Sequence, residues 1–130
     1  MPATALSNYG RQLVQNALLR GISFSIPTVW LAIYTTDPTS ADIGTEVSAG
    51  SYLRRPITLS APTTGGLCSN TATVTFPTAS VSWGAVGFAG IRDAGSGGHL
   101  LFYGPLGTTE TIGIGDALVF QIGQITCTLT

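Results

Sequence analysis

The sequence predicts a mainly β fold, an antiparallel β-sandwich or a small barrel with one short N-terminal α-helix. Apolar residues recur at helical spacing near the N-terminus, whereas the rest of the chain consists of short runs rich in β-branched and aromatic residues. About seven such runs are separated by clusters of Pro, Gly, Ser and Thr, a pattern typical of sandwiches and barrels. A chain of 130 residues can build one core, so we expect a single domain over residues 1–130.

The predicted helix covers about residues 6–20. Its apolar residues recur at helical spacing, at Leu6, Leu13, Ala17 and Leu18. Thr4 or Ser7 can cap the start of the helix, and Gly21 can cap its end. Gly10 destabilises the helix by roughly 1 kcal/mol relative to Ala, so we expect the helix to require a packing partner.

The predicted sandwich covers about residues 22–129. Residues 22–26 read Ile-Ser-Phe-Ser-Ile, and this alternation predicts an edge strand that Pro27 interrupts. Residues 28–35 predict a buried strand, and residues 37–50 predict a polar loop. Further strands are predicted at residues 52–60, 71–76, 85–93, 100–103, 117–122 and 124–129.

Apolar and aromatic side chains of these strands are expected to form the core. The side chains predicted to be buried include Trp30, Leu31, Ile33, Phe88 and Leu101. Trp83, Phe102 and Tyr103 are also interpreted as core residues. A carbohydrate platform is the alternative for Trp83, because aromatic rings stack on sugars as well as filling cores.

The two cysteines, Cys68 and Cys127, show no CxxC or Cys/His spacing, so the sequence predicts no metal site. Cys127 alternates with Ile125 and Leu129, which predicts a reduced thiol in the core. A Cys68–Cys127 disulfide is the alternative, although it would be unusual in a cytosolic assembly.

The chain carries very little charge. Its charged residues are five arginines and six acidic residues, and 44% of the sequence is hydrophobic. A folded monomer of 13.4 kDa exposes roughly 6,500 Å², which leaves about one charge per ~600 Å² against one per ~200 Å² at average composition. Serine and threonine hydroxyls tolerate burial against a partner better than Lys or Glu side chains do. We therefore expect a subunit of a larger assembly.

The same composition argues against two kinds of partner. The net charge is −1 and the only basic pair is Arg54-Arg55, whereas phosphate binding requires clustered positive charge, so no nucleic-acid partner is expected. The longest apolar run, residues 29–34, is too short to span a bilayer, and no signal peptide precedes it. The sequence thus predicts no membrane association and synthesis in the cytosol.

Few residues have the chemistry of a catalyst. His99 is the single histidine, and Asp93 could pair with it across a hairpin, but a general base also needs a converging nucleophile. The chain has no GxSxG, GxGxxG or P-loop motif. Glu46 and Glu110 are its only glutamates, which gives little support for a pair of glycosidase carboxylates. The sequence therefore predicts neither an enzyme nor a cofactor.

Short motifs follow one another along the chain. They are IPTVWLAIYTTDP at residues 26–38, GTEV at 44–47, GSYLRRPI at 50–57, VTFP at 74–77, WG at 83–84, GPL at 104–106 and TIGIGD at 111–116. In order and spacing, from about residue 6 to residue 128, they resemble a family of small tailed-bacteriophage virion proteins. One departure is Ala49, where many members have Gly. The resemblance implies a virion structural protein.

The resemblance and the low charge together favour a capsid decoration (cement) protein. We expect a homotrimer that binds the major capsid protein on the outer capsid surface of the virion and adds buried area across subunit joints. The alternative is a tail-fibre or receptor-binding adaptor module of the phage tail. Contacts are expected from residues 2–11 and 37–55, which are a terminus and a long polar loop. The candidate contact residues are Tyr9, Arg11, Asp37, Glu46, Tyr52, Arg54 and Arg55, with Arg54 and Arg55 suited to bidentate pairing with carboxylates of a neighbour.

Overall fold

The computed structural model describes residues 2–3 and 5–129. Over these residues it contains one helix, α1 (Asn8–Arg20), and ten strands. The strands are β1 (Pro2–Ala3), β2 (Ala5–Leu6), β3 (Val29–Tyr34), β4 (Arg55–Ile57), β5 (Leu67–Ser69), β6 (Val74–Thr75), β7 (Gly84–Arg92), β8 (Leu100–Ile112), β9 (Val119–Phe120) and β10 (Thr126–Thr128). With 37% strand and 10% helix, the structure confirms the predicted mainly β fold.

A five-stranded sheet forms the centre of the molecule. Its order is β2-β8-β7-β3-β4 and all its neighbours are antiparallel. Two smaller sheets, β1-β10-β5 and β6-β9, complete the strand arrangement, and β1 runs parallel to β10. Within the described residues the sheets stay open, so the architecture is a sandwich and not a closed barrel.

The core lies between one face of the central sheet and the two smaller sheets. Its buried side chains include Leu31, Ile33, Ile57, Val74, Phe76, Trp83, Val86, Ala89, Ile91, Ile112, Phe120, Ile125 and Cys127. Strand β3 is buried on both faces, because Leu31, Ala32, Ile33 and Tyr34 are all at most 1% exposed. This explains why its sequence is a continuous apolar run that does not alternate with polar residues.

The ends of α1 confirm two of the predicted caps. The side chain of Ser7 accepts a hydrogen bond from the Gly10 amide at 3.0 Å and donates to the Leu100 carbonyl. Gly21 adopts the left-handed conformation with φ of 67° and closes the last turn. Thr4, the other predicted N-cap, lies outside the described residues.

Gly10 is the one buried residue of the helix. A Cβ at this position would lie 2.9 Å from Leu6 Cδ2 and 3.0 Å from the Leu101 carbonyl oxygen. Glycine is therefore required for α1 to approach β8 closely. The contact supplies the packing partner that the weak helix propensity of this segment predicts.

Several predicted strands differ from the structure. Residues 22–26 form no strand, because no described strand pairs with their backbone. The strands predicted at 52–60, 71–76, 117–122 and 124–129 shrink to β4, β6, β9 and β10, whereas β8 extends nine residues beyond the predicted end at Tyr103. Strand β5 and the short strands β1 and β2 are absent from the sequence prediction, because such short elements form only through pairing with distant segments.

Four of the predicted core residues are not fully buried. Leu31, Ile33, Trp83 and Leu101 are buried as expected. Those that are only half-buried are Trp30, Phe88, Phe102 and Tyr103, of which Phe102 still packs against the core. Trp30 is the second residue of β3 and packs over the turn after β7, where a Cβ on Gly95 would lie 3.2 Å from its ring. A register shift between Val86 and Phe88 turns Phe88 away from the core.

Candidate functional site

Two arginines, Arg54 and Arg92, organise the loops at one end of the central sheet. Both side chains reach the turn between β7 and β8, residues 93–99. The Gly97 carbonyl accepts hydrogen bonds from Arg54 Nη1 at 2.8 Å and from Arg92 Nε at 3.3 Å. The arginine cluster consists of these two residues, their side-chain partners Tyr34, Asp42 and Glu46, and Tyr52, which bonds to Glu46. It joins the long 37–55 loop to the β7–β8 turn.

Arg54 pairs with Glu46 in a bidentate geometry. Its Nε and Nη2 atoms donate to the two carboxylate oxygens at 2.8 and 2.7 Å. Tyr52 supports the pair, since its hydroxyl donates to Glu46 at 2.7 Å and accepts from the Ile33 amide at 3.0 Å. Burial acts to raise the pKa of Glu46, but the hydrogen bonds from Arg54 and Tyr52 outweigh it and hold that pKa below its usual value. Glu46 is therefore ionised and fixed in place.

The Arg92 side chain is buried to the same degree as that of Arg54 but has more partners. Its guanidinium donates to both oxygens of Asp42 at 2.7 and 2.8 Å, to the Tyr34 hydroxyl at 2.8 Å and to the Gly98 carbonyl at 3.0 Å. Burial acts to lower the pKa of Arg92, but its hydrogen bonds to Asp42 and Tyr34 raise that pKa above its usual value. Asp42 itself has φ of 57°, a conformation that aspartate tolerates better than most residues. The ion pair holds the loop in this conformation.

The first part of the 37–55 loop, up to residue 45, is closed by residues from two of the sequence motifs. The Thr35 amide donates to the Thr45 carbonyl at 2.9 Å, and the Thr45 amide donates to Thr36 Oγ1 at 2.7 Å. Gly44 contacts the backbone of Pro38 so closely that a Cβ would lie 2.6 Å from the proline Cα. The Asp-Pro and Gly-Thr parts of these motifs therefore have a local structural reason: they hold residues 36–45 in a closed turn.

His99 and Asp93 form a second polar group, beside the cluster. The prediction that they pair across the hairpin is confirmed, with His99 Nδ1 at 3.2 Å from Asp93 Oδ2 and the His99 amide donating to Oδ1 at 2.6 Å. Burial acts to raise the pKa of Asp93, but these hydrogen bonds lower it below its usual value. The His99 ring stacks on Tyr9 at 3.9 Å. The stacked Tyr9 and His99 rings form a structural contact between α1 and the turn, next to the N-cap residue Ser7.

Residues 5–128 match a family model described as podophage GP4 fiber I protein gp80. The chain belongs to this family. It is thus a phage virion structural protein, as the motif resemblance predicts. None of the curated proteins compared with the chain matches it. Among the described residues, no helix is long and apolar enough to cross a membrane.

In this virion protein the predicted contact residues fall into two groups. The arginine cluster brings together Glu46, Tyr52 and Arg54, and their polar atoms bond within the chain. The others are dispersed: Arg11, Asp37 and Arg55 are exposed, and Tyr9 is half-buried against His99. Asp37 accepts from the Thr39 amide at 2.9 Å, and Arg11 donates weakly to Asn8 at 3.4 Å. That these residues contact another virion protein stays a prediction.

Sequence reasoning missed Arg92, Asp42 and Tyr34. The available signal was Arg92 itself, a single charged residue at the end of the otherwise uncharged β7. A buried charge requires a partner, but the partner lies fifty residues earlier in the chain.

The suggestion of a carbohydrate platform at Trp83 is wrong, because that ring is 5% exposed and packs edge-on against Tyr52 and Phe76.

The molecular surface agrees with the estimate from composition. The folded chain exposes 6777 Å², close to the expected value. Four of its charged residues are engaged in the two ion pairs of the arginine cluster. The surface available to partners therefore carries even less free charge than the sequence alone indicates.

Proposed function

We propose that this chain is a structural subunit of the phage tail-fibre apparatus, which acts by binding other virion proteins without a catalytic step. The observation that carries the proposal is the family match over residues 5–128, because the family is described as a fibre protein. A fibre subunit needs rigid contact surfaces and no turnover. The arginine cluster, in which buried charges are paired and hydrogen-bonded, fits that requirement.

The contact surface in this proposal is the outside of the 37–55 loop. Ile43 and Leu53 project from it and are 70% and 64% exposed. The arginine cluster fixes the backbone beneath them, so a partner would meet these apolar side chains already ordered, which reduces the entropy lost on binding. Arg55 and Asp37 are exposed nearby in sequence and would supply polar contacts at the rim. The assembled form in this proposal is a homo-oligomer, the trimer expected from the sequence.

A capsid decoration protein on the outer capsid surface is the second candidate function. The scarcity of free charge favours it, because a neutral apolar and hydroxyl-rich surface suits repeated contacts across joints of the major capsid protein. Both candidate functions are structural. They differ in the number of copies of the chain in each particle.

Quantitative mass spectrometry of purified virions separates the two candidates. As a fibre subunit, the chain should be far less abundant than the major capsid protein and should stay with tails when heads and tails are separated. Recovery with tail-free heads, at a copy number close to that of the major capsid protein, would refute the fibre assignment and support decoration. Absence from purified virions would refute both.

A further inference from the structure

The two cysteines lie directly opposite each other on neighbouring strands. In the pairing of β5 with β10, Cys68 and Cys127 occupy matched positions of the antiparallel register, although they are far apart in sequence. Opposite residues of an antiparallel pair project from the same face of the sheet. Both side chains accordingly pack on the core side, with Cys127 buried and Cys68 half-buried. Both are free thiols in the structure.

The hydrogen bonds on either side of the cysteines fix the distance between their backbones. The Asn70 amide donates to the Ile125 carbonyl at 3.1 Å, and the Leu129 amide donates to the Gly66 carbonyl at 3.2 Å. Hydrogen-bonded and non-hydrogen-bonded pairs alternate along an antiparallel ladder. The cysteine pair lies two positions from each of these bonds, so it is a hydrogen-bonded pair. Its Cα atoms are therefore about 5.5 Å apart, inside the range of about 4.4–6.8 Å that disulfides span.

The same position would make a bond between the two sulfurs a strained one. The Cβ atoms of a hydrogen-bonded pair lie about 5.5 Å apart, whereas a disulfide needs about 3.5–4.5 Å. The two strands must therefore approach each other by about 1 Å at this point. Strain of this kind makes a disulfide easier to reduce, which is a property of reversible disulfides and not of permanent ones.

We propose that Cys68 and Cys127 form a reversible redox pair, a dithiol in the reducing cytosol and a disulfide once the particle meets a low-molecular-weight disulfide outside the cell. This inference rests on the virion role proposed above, because a virion is assembled in the cytosol and its surface then faces an oxidising environment. The bond would enclose residues 68–127, which contain β6 to β9. Closing a long loop stabilises a protein mainly by restricting its unfolded chain.

The exchange takes two steps when glutathione disulfide is the oxidant. The thiolate of the half-buried Cys68 attacks one sulfur of glutathione disulfide, which forms a mixed disulfide and releases one glutathione thiolate. The thiolate of Cys127 then attacks the Cys68 sulfur, which forms the Cys68–Cys127 bond and releases the second glutathione thiolate. The two thiolates released take up the two protons that the cysteines lose, so two thiols are oxidised and one glutathione disulfide is reduced. Burial raises the pKa of Cys127 to about 12, so the second step is the slow one.

The test uses the purified chain in buffers that contain reduced and oxidised glutathione in different ratios. With glutathione disulfide in excess, mass spectrometry after alkylation should show a single chain that has lost two hydrogens and is alkylated at neither cysteine. Its melting temperature should be about 5–10 °C above that of the dithiol form. An excess of reduced glutathione should reopen the bond and restore the lower melting temperature.

The matched controls are Cys68→Ser and Cys127→Ala, since each removes the bond and leaves one thiol. Neither variant should gain stability in the oxidising buffer. Four outcomes would each overturn the proposal: glutathione held on Cys68 with no second step, a link between two chains, an oxidised form no more stable than the dithiol, or a bond that persists in excess reduced glutathione. The isolated chain gives these results wherever it lies in the particle, so they are distinct from absence of the chain from purified virions, which would refute the proposed function.

Discussion

Replacing Arg54 with alanine tests whether the arginine cluster holds the loops together. Arg54 makes two hydrogen bonds to Glu46 and one each to the carbonyls of Ala94 and Gly97, all between 2.7 and 2.8 Å. The substitution removes these bonds at once. It also leaves the Glu46 carboxylate without its counter-charge.

The expected cost is about 2–3 kcal/mol of unfolding free energy. Removing one partner of a fully buried ion pair costs about 3–5 kcal/mol. In this chain the Glu46 side chain is 24% exposed and keeps its hydrogen bond from Tyr52, so water compensates part of the loss. The carbonyls of the turn also lie near solvent. Against a total stability of about 5–15 kcal/mol, the change is large enough to measure accurately.

Urea unfolding followed by tryptophan fluorescence measures this effect, because Trp83 is buried and becomes exposed on unfolding. The control is the adjacent residue. Arg55→Ala removes the same charge from an exposed position on β4, so it should change stability by no more than about 0.5 kcal/mol. Equal destabilisation by the two variants, or no effect of Arg54→Ala, would show that the cluster does not hold the loop.

Three further outcomes are expected. The pKa of Glu46 is lowered in the folded state, so the wild type should have a higher free energy of unfolding than Glu46→Gln. This difference should be complete above about pH 5, where the unfolded carboxyl is ionised, and should disappear as pH falls through the folded pKa. Urea unfolding at each pH measures it, and a difference that grows in acid would contradict this. Leu31→Ala should cost roughly 2–5 kcal/mol, since Leu31 is fully buried, and an unchanged melting temperature would refute its place in the core. Burial raises the pKa of Cys127 to about 12, so in the native protein Cys68 should react with a thiol reagent and Cys127 should not. Detection of a Cys68–Cys127 link by mass spectrometry of alkylated, unreduced protein that has met no oxidant would contradict the prediction that both cysteines are reduced.

The elements that sequence predicts well are those specified by local patterns. The helix has a capping serine, a terminal Gly21 and apolar spacing, and β3 is a run of β-branched and aromatic residues, so both were predictable. The second half of β8 was not, because residues 104–112 are rich in Gly, Pro and Thr and form a strand only by pairing with β7 across a register shift. The Ile-Ser-Phe-Ser-Ile segment shows the opposite case, a local strand pattern that pairs with no strand within the described residues.

The candidate site follows the same division. The sequence identifies Arg54 as a residue suited to bidentate pairing, and the structure shows that chemistry with Glu46 of the same chain. A pattern cannot distinguish an internal carboxylate from one on a neighbour, because both satisfy the guanidinium equally well. Arg92 is harder still to predict, since its partners at positions 34 and 42 meet it only after β3 and β7 have paired.

The placement of charge in this chain is consistent with a structural role. Buried ion pairs add little net stability compared with well-packed apolar residues, but they accept only a narrow range of geometries. Here both pairs join the 37–55 loop to the β7–β8 turn. Together with Val47, which packs in the core, they specify the shape of the loop. Four of the eleven charged residues are thus engaged in these two pairs, which leaves few free charges on the exterior. A subunit that must present fixed loops and bind neighbours through a nearly neutral surface requires this distribution.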